Sequence, residues 1–208
     1  MTGPADAGDR RTIPIPPGLP DELFARAEVP MTKREVRALT MAVAQLRPAH
    51  RVLDVGAGTG SLTVEAALLC PDGAVTALER NGDALRLIFE NTARFALANV
   101  GVVDGSAPAA FADLEPHSFD RILVGGSGGD LAVILAGLPG LLAAGGRVVC
   151  NTACLETTAT VAAALRRPPW GGFTCAQISV ARGVPAGRLL RFDALNPVWI
   201  TSACLEDA

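Results

Sequence analysis

The sequence predicts an α/β fold in which a mostly parallel seven-stranded sheet is closed by an antiparallel C-terminal strand pair. Three observations carry that expectation. Short apolar, β-branched runs alternate with helix-length segments between Arg51 and Arg166, a pattern that builds right-handed βαβ crossovers and a parallel sheet. Val52-Leu53-Asp54-Val55 runs directly into Gly56-Ala57-Gly58-Thr59-Gly60, a strand buried on both faces that opens through a glycine turn onto a helix. Finally, the β-rich runs Phe173–Ala181 and Leu189–Thr201 are joined only by Arg182 to Arg188. That link has no room for a crossover helix, so the two runs should pair antiparallel.

The elements follow in order. Residues 1–20 hold five prolines and no apolar period, as expected of a flexible tail or linker remnant ahead of a domain at 21–208. Thr32 and Glu35 have the spacing of a capping box, Thr32 capping a helix and Glu35 reaching back to it. Val36, Leu39, Thr40, Val43 and Leu46 give that helix one apolar face, and Pro48 ends it. Strands are expected at 51–56, 74–79, 100–104, 119–124 and 146–151, with helices at 60–70, 82–97, 129–143 and 155–166. Pro71-Asp72-Gly73 and Gly145-Gly146 punctuate the series as turns.

Bulk composition narrows the function classes. With 208 residues, 50% hydrophobic and 19% charged, the chain can bury one sizeable core. A net charge of −3 argues against a general nucleic-acid binder, which carries a basic field. No apolar run reaches the ~20 residues of a membrane span, and no charged segment followed by an apolar one marks a secretory leader; a cytoplasmic protein is expected. The five cysteines (Cys70, Cys150, Cys154, Cys175 and Cys204) are read as reduced and buried, and His50 and His117 stand alone, so no metal site is expected.

Two nucleotide readings compete for the turn. A dinucleotide fingerprint needs a third glycine where Ser61 stands. Asp54 instead makes Leu-Asp-Val-Gly-Ala-Gly-Thr-Gly, which resembles the first motif of S-adenosyl-L-methionine-dependent methyltransferases. That cofactor is a sulfonium without a pyrophosphate, so a neighbouring carboxylate does not repel it. The strand ending at Glu79 presents a second carboxylate suited to two ribose hydroxyls; its bland alternative is a solvated strand-end charge. At the next strand end, Asp104 or the backbone of Ala107 could hold an adenine edge, and a helix cap at Asp104 or Ser106 is the competing use. Together these features indicate a class I methyltransferase (Rossmann-like) fold.

The acceptor is signalled by two further stretches. Gly125-Gly126-Ser127-Gly128-Gly129 follows the fourth strand, where close backbone approach suits a flat ligand and the amides suit carboxylates; a tight strand-to-helix turn is the alternative. Residues 157–192 carry Arg166, Arg167, Arg182, Arg188 and Arg191 without one acidic residue, which points to an anionic partner. Arg166 and Arg167 could serve only the dipole at a helix end. Lysine occurs once, at Lys33.

Leu19-Pro20-Asp21-Glu22-Leu23-Phe24, Val29 to Arg37, the glycine turn, Val124 to Gly129, Leu155-Glu156-Thr157 and Leu195-Asn196-Pro197-Val198 together resemble the decarboxylating precorrin-6B C-15 methyltransferases of cobalamin biosynthesis. The resemblance implies methylation at carbon 15 of an anionic tetrapyrrole and loss of carbon dioxide from the acetate on carbon 12. It implies a homotetramer and, in some members, fusion to a C-5 methyltransferase domain. It also implies cofactor contacts at Thr32, Gly56, Ala57, Gly58, Thr59, Gly60, Glu79 and Ala107. For the macrocycle, Gly125, Gly126, Ser127, Gly128, Asn151 and Arg188 are the candidates. Competing functions are another small-molecule, protein or RNA methyltransferase, a non-catalytic cofactor-binding module, and a nicotinamide-dependent reductase, the last disfavoured by Ser61.

Overall fold

Alternation with period two decides which side of the sheet each strand residue serves. The computed structural model describes residues 16–206. Its main sheet contains β1 (Arg51–Val55), β2 (Ala74–Glu79), β3 (Val100–Asp104), β4 (Phe119–Val124), β5 (Leu142–Thr152), β6 (Trp170–Ile178) and β9 (Val198–Leu205). β7 (Ala181–Ala186) and β8 (Leu189–Ala194) form a separate two-stranded ribbon. The helices are α1 (Arg34–Ala44), α2 (Ser61–Leu69), α3 (Gly82–Arg94), α4 (Leu131–Gly137) and α5 (Leu155–Leu165).

The sheet order is β3-β2-β1-β4-β5-β9-β6, with β9 antiparallel to both of its neighbours. Leu53, Val55, Ile122, Val124, Val148 and Cys150 point to the face covered by α4 and α5. Val52, Leu123 and Val149 point to the other face, under α1 and α2. Chain order reverses at β1, whose neighbours are β2 and β4, which leaves a crevice beyond the carboxyl ends of these strands.

The expected βαβ series is present, and five details differ. β6 pairs with β9, as the antiparallel expectation requires, but the expected link, Arg182 to Arg188, is mostly strand: it forms β7, which pairs with β8 at the start of the second run. Leu195, Asn196 and Pro197 split the second run into β8 and β9. β5 starts four residues earlier than expected, because Leu142 is fully buried against Phe119 and the left-handed Gly145 lies within the strand beside a register shift rather than in a turn. α4 stops at Gly137, where Pro139 lacks the amide that a further turn needs. Cys154 and Cys175 are exposed, in contrast to buried Cys70 and Cys150.

The N-terminal expectations need two corrections. The N-cap of α1 is Lys33, without a side-chain cap, so Thr32 and Glu35 form no capping box. Glu35 binds Arg182 at the base of the ribbon instead (2.7 Å). Gly18 and Leu19 are not tail either: their amides donate to the buried Glu65 carboxylate at 2.8 and 3.0 Å. The rest of the expected tail, residues 1–15, lies outside the described residues.

Arg37 explains this docking. It is fully buried on α1, donates to Glu65 (2.9 Å), Asp21 (2.8 Å) and the carbonyls of Leu19 and Thr32, and lies 4.7 Å over the Phe24 ring. One guanidinium thereby ties residues 19–32 to α1 and α2.

Candidate functional site

A cavity of about 810 Å³ opens where β1, β2, β4 and β5 end. Its floor is the glycine turn. Gly56 has φ +69°, and a Cβ there would lie 2.7 Å from the backbone nitrogen and Cα of Gly126. Bare backbone on both sides therefore allows the β1 and β4 loops to touch. The amides of Gly56 and Ala57 both donate to the Leu78 carbonyl (2.9 and 3.2 Å), which fixes the turn against β2.

The Glu79 carboxylate is oriented before any ligand arrives. One oxygen accepts from the Gly58 amide (2.9 Å), the other from the amides of Arg80 (2.8 Å) and Asn81 (2.9 Å). Its remaining lone pairs face a cavity that also exposes Gly105, Ser106 and Ala107. Asp104 is the register partner of Glu79 but is exposed and outside the lining. Of the two adenine-edge candidates, only Ala107 reaches the cavity.

Asp54 lies beneath the turn, fully buried. Thr63 donates to its Oδ2 at 2.6 Å, while Oδ1 and the buried Thr59 hydroxyl have no partner among the described residues. Burial, with Glu79 adding repulsion, pushes the Asp54 carboxyl from an ordinary 3.8 up to about 6. Two orphaned polar atoms and a buried acid under a turn of bare backbone fit a cationic ligand seated there.

The sign of that shift gives a prediction. A raised pKa means that the folded state holds the proton more tightly than the unfolded chain, so the contribution of Asp54 to stability is most favourable below pH ~4 and is lost as pH rises through ~6. At pH 7.5 the ionised group costs up to about 3 kcal/mol. Asp54→Asn is therefore expected to melt higher than the wild type at pH 7.5, with the gap closing at pH 4, in thermal scans without cofactor. Its affinity for a cationic cofactor should fall, and the wild type's own affinity should rise between pH 5 and 7. A lower melting temperature for the variant at pH 7.5 would contradict the reading.

A strap formed by residues 28–33 roofs the cavity, and a Cβ on Gly58 would contact the Pro30 carbonyl at 3.5 Å. Thr32 lies in this strap and lines the cavity, although it caps no helix. Asn91, fully buried on α3, ties the segment leading into the strap to the turn by binding the Ala25 backbone amide (2.6 Å) and the Thr59 carbonyl (2.8 Å). Nothing local in the sequence marked Asn91; a polar residue amid a helix's apolar face was the available signal.

On the acceptor side, Gly125, Gly126, Ser127, Gly128 and Asn151 line the cavity. Asn151 Nδ2 donates to the Thr40 hydroxyl (3.0 Å), whose own hydrogen goes to the Val36 carbonyl (2.7 Å). The structure does not bring in Arg188, which sits exposed at the ribbon's turn. Arg182 is held by Asp21 (3.0 Å) and Glu35 (2.7 Å), and Arg191 by Asp193 (3.3 Å). Among the described residues the cations that line the cavity are Lys33 and Arg80, neither singled out for this role by the sequence. Among the described residues no helix is long and apolar enough to cross a membrane.

Comparison with known proteins places this geometry. The description of a precorrin methyltransferase domain matches residues 22–204. The cobalt-precorrin-6B C(15)-methyltransferase (decarboxylating) of Salmonella typhimurium is 39% identical over 188 residues, covering 90% of this chain and 96% of the relative. A crystal structure of a precorrin-6Y C5,15-methyltransferase from Geobacter metallireducens superposes with a TM-score of 0.86 at 34% identity, covering 93% of this chain and 99% of that one. The C-terminal domain of precorrin-6Y C5,15-methyltransferase from Rhodobacter capsulatus superposes at 0.78 with 31% identity, covering 90% and 97%.

Proposed function

This chain belongs to the precorrin methyltransferase family, and we propose that it methylates carbon 15 of a precorrin and decarboxylates the acetate on carbon 12, with S-adenosyl-L-methionine as donor. The observation that carries the proposal is one cavity lined by both the glycine turn and the glycine-serine loop. Donor and flat acceptor can meet there across the contact between Gly56 and Gly126.

Each wall has a task. Glu79 accepts the ribose hydroxyls with its remaining lone pairs, and Ala107 borders the adenine. Ionised Asp54 supplies negative potential under a cation in a site of low dielectric. The bound cofactor supplies a methyl group on a sulfonium, which leaves as a neutral thioether. The ring carbon of the reduced tetrapyrrole is enamine-like and already nucleophilic, so the protein's work is alignment. Alignment in a closed site is worth up to ~7–11 kcal/mol. The strap at 28–33 and the Gly125–Gly128 loop exclude water and set the approach. In the second step the C–C bond to the acetate carboxylate breaks and carbon dioxide departs. The electron pair passes into the conjugated ring, and a proton then fills the carbon's vacancy. Mass spectrometry of precorrin-6B incubated with enzyme and cofactor is expected to show one methyl gained and one carbon dioxide lost; an unchanged macrocycle mass would refute the proposal.

We further propose a cytoplasmic homotetramer. The β7–β8 ribbon carries Leu189, Leu190 and Phe192 at 77, 61 and 69% exposure, an apolar surface that association would cover. Sedimentation velocity should report four copies, and a monomer at micromolar concentration would overturn this.

A further inference from the structure

We propose that Arg80 is a substrate-binding residue, its guanidinium held over Gly128 to receive a side-chain carboxylate of the macrocycle. This rests on the acceptor being the polycarboxylate proposed above.

Three observations support it. Arg80 lines the cavity, directly after the ribose-facing Glu79, and its backbone amide is fixed by the Glu79 carboxylate (2.8 Å). Its guanidinium makes no ion pair or hydrogen bond among the described residues, whereas Arg37, Arg182 and Arg191 are all matched to carboxylates. The cavity's other cation, Lys33, already donates to the Asn196 carbonyl (2.8 Å).

The third observation is the slot. Gly128 has φ +56°, and a Cβ built on it would fall 2.7 Å from Arg80 Cζ. A side chain at 128 would displace the guanidinium, so the bare backbone of the β4 loop seats it. The loop expected to hold the macrocycle and the arginine that neutralises it thus form one unit. An unmatched guanidinium has little to offer a sulfonium, which it repels. It suits a carboxylate, which it binds through two parallel N–H donors.

Three measurements on the full chain test this. Arg80→Met is expected to raise the KM for precorrin-6B about 10–100-fold, the loss of one charge-assisted bond, with the calorimetric Kd for S-adenosyl-L-methionine within about twofold of wild type. Arg80→Lys should recover part of the loss, because it keeps the charge without the fork. Gly128→Ala should raise KM more in the wild type than in the Arg80→Met background, where no guanidinium remains to be displaced. A weakened cofactor Kd with unchanged KM would overturn the proposal, as would equal effects of Gly128→Ala in both backgrounds. Failure of wild-type turnover would strike the functional reading instead. Arg80 is then read by titrating uroporphyrin, a stable tetrapyrrole polycarboxylate. Binding to the wild type that is weakened at least tenfold in Arg80→Met is expected. Absent binding, or equal binding by the two proteins, overturns the assignment.

Discussion

Arg37→Ala is expected to lower stability by about 3–5 kcal/mol, the cost of stranding a buried charge. For a domain of this size that is a fall in melting temperature of roughly 10–15 °C. Glu65 is fully buried and would keep only the amides of Gly18 and Leu19. Asp21 would lose one of its two arginines, and the Thr32 carbonyl its donor. The damage should reach the cavity, because Thr32 belongs to the strap that roofs it. Cofactor affinity should therefore drop even at temperatures where the variant remains folded. Thermal denaturation and calorimetry on the same preparation check both effects.

A second variant separates charge from packing. In Arg37→Met with Glu65→Gln, no ionised group remains in that buried pair, while the glutamine oxygen can still accept from Gly18 or Leu19. This double variant should be more stable than Arg37→Ala, as buried ion pairs replaced whole commonly cost less than pairs broken by half. A double variant no more stable than Arg37→Ala would mean that the network acts through shape alone.

The contrast between this network and the glycine turn shows what was readable in the chain. Asp54, Gly56, Gly58, Gly60 and Glu79 were legible because they are local: turn geometry and strand-end position follow from a few neighbouring residues. Arg37 was not legible, since its partners lie 16 residues before it and 28 after, and a lone arginine on a helix reads as a solvated face. The ribbon was missed for a different reason. The antiparallel pairing of β6 with β9 was predictable from missing crossover length, but β7 and β8 form a local hairpin across Gly187 and Arg188, and Gly183 and Pro185 made its first strand read as a loop. Arg182, counted in the local charge excess that pointed to an anionic partner, found its carboxylates 147 and 161 residues earlier in the chain. Charge counting along the sequence cannot see such neutralisation. Arg80, isolated between Glu79 and Asn81, attracted no notice although, among the described residues, it is the one arginine that lines the cavity.

Gly56→Ala should abolish measurable cofactor binding at micromolar concentration, a loss of about 100-fold or more. The added methyl meets two obstacles. At φ +69° an alanine is strained, by about 1–2 kcal/mol. Its Cβ would also lie 2.7 Å from the Gly126 backbone, which cannot swing aside as a long side chain would. Relief requires the β1 and β4 loops to part, yet the Gly56 and Ala57 amides bind the Leu78 carbonyl and the Gly125 amide binds the Val55 carbonyl (3.0 Å). Those anchors turn a local clash into a displacement of both ligand walls at once. Losing two hydrogen bonds to the cofactor at about 1.5 kcal/mol each is enough for a 100-fold fall in affinity. The core beneath should tolerate the change, since Val55 and Val124 stay packed on their own face of the sheet. The expected signature is a folded protein with a modest drop in melting temperature and no heat of binding for S-adenosyl-L-methionine. Gly58→Ala is the informative control: it shares the positive φ but meets its nearest atom, the Pro30 carbonyl, at an ordinary 3.5 Å. It should lose far less affinity than Gly56→Ala, and equal losses would assign the effect to backbone strain rather than to the contact between the two loops.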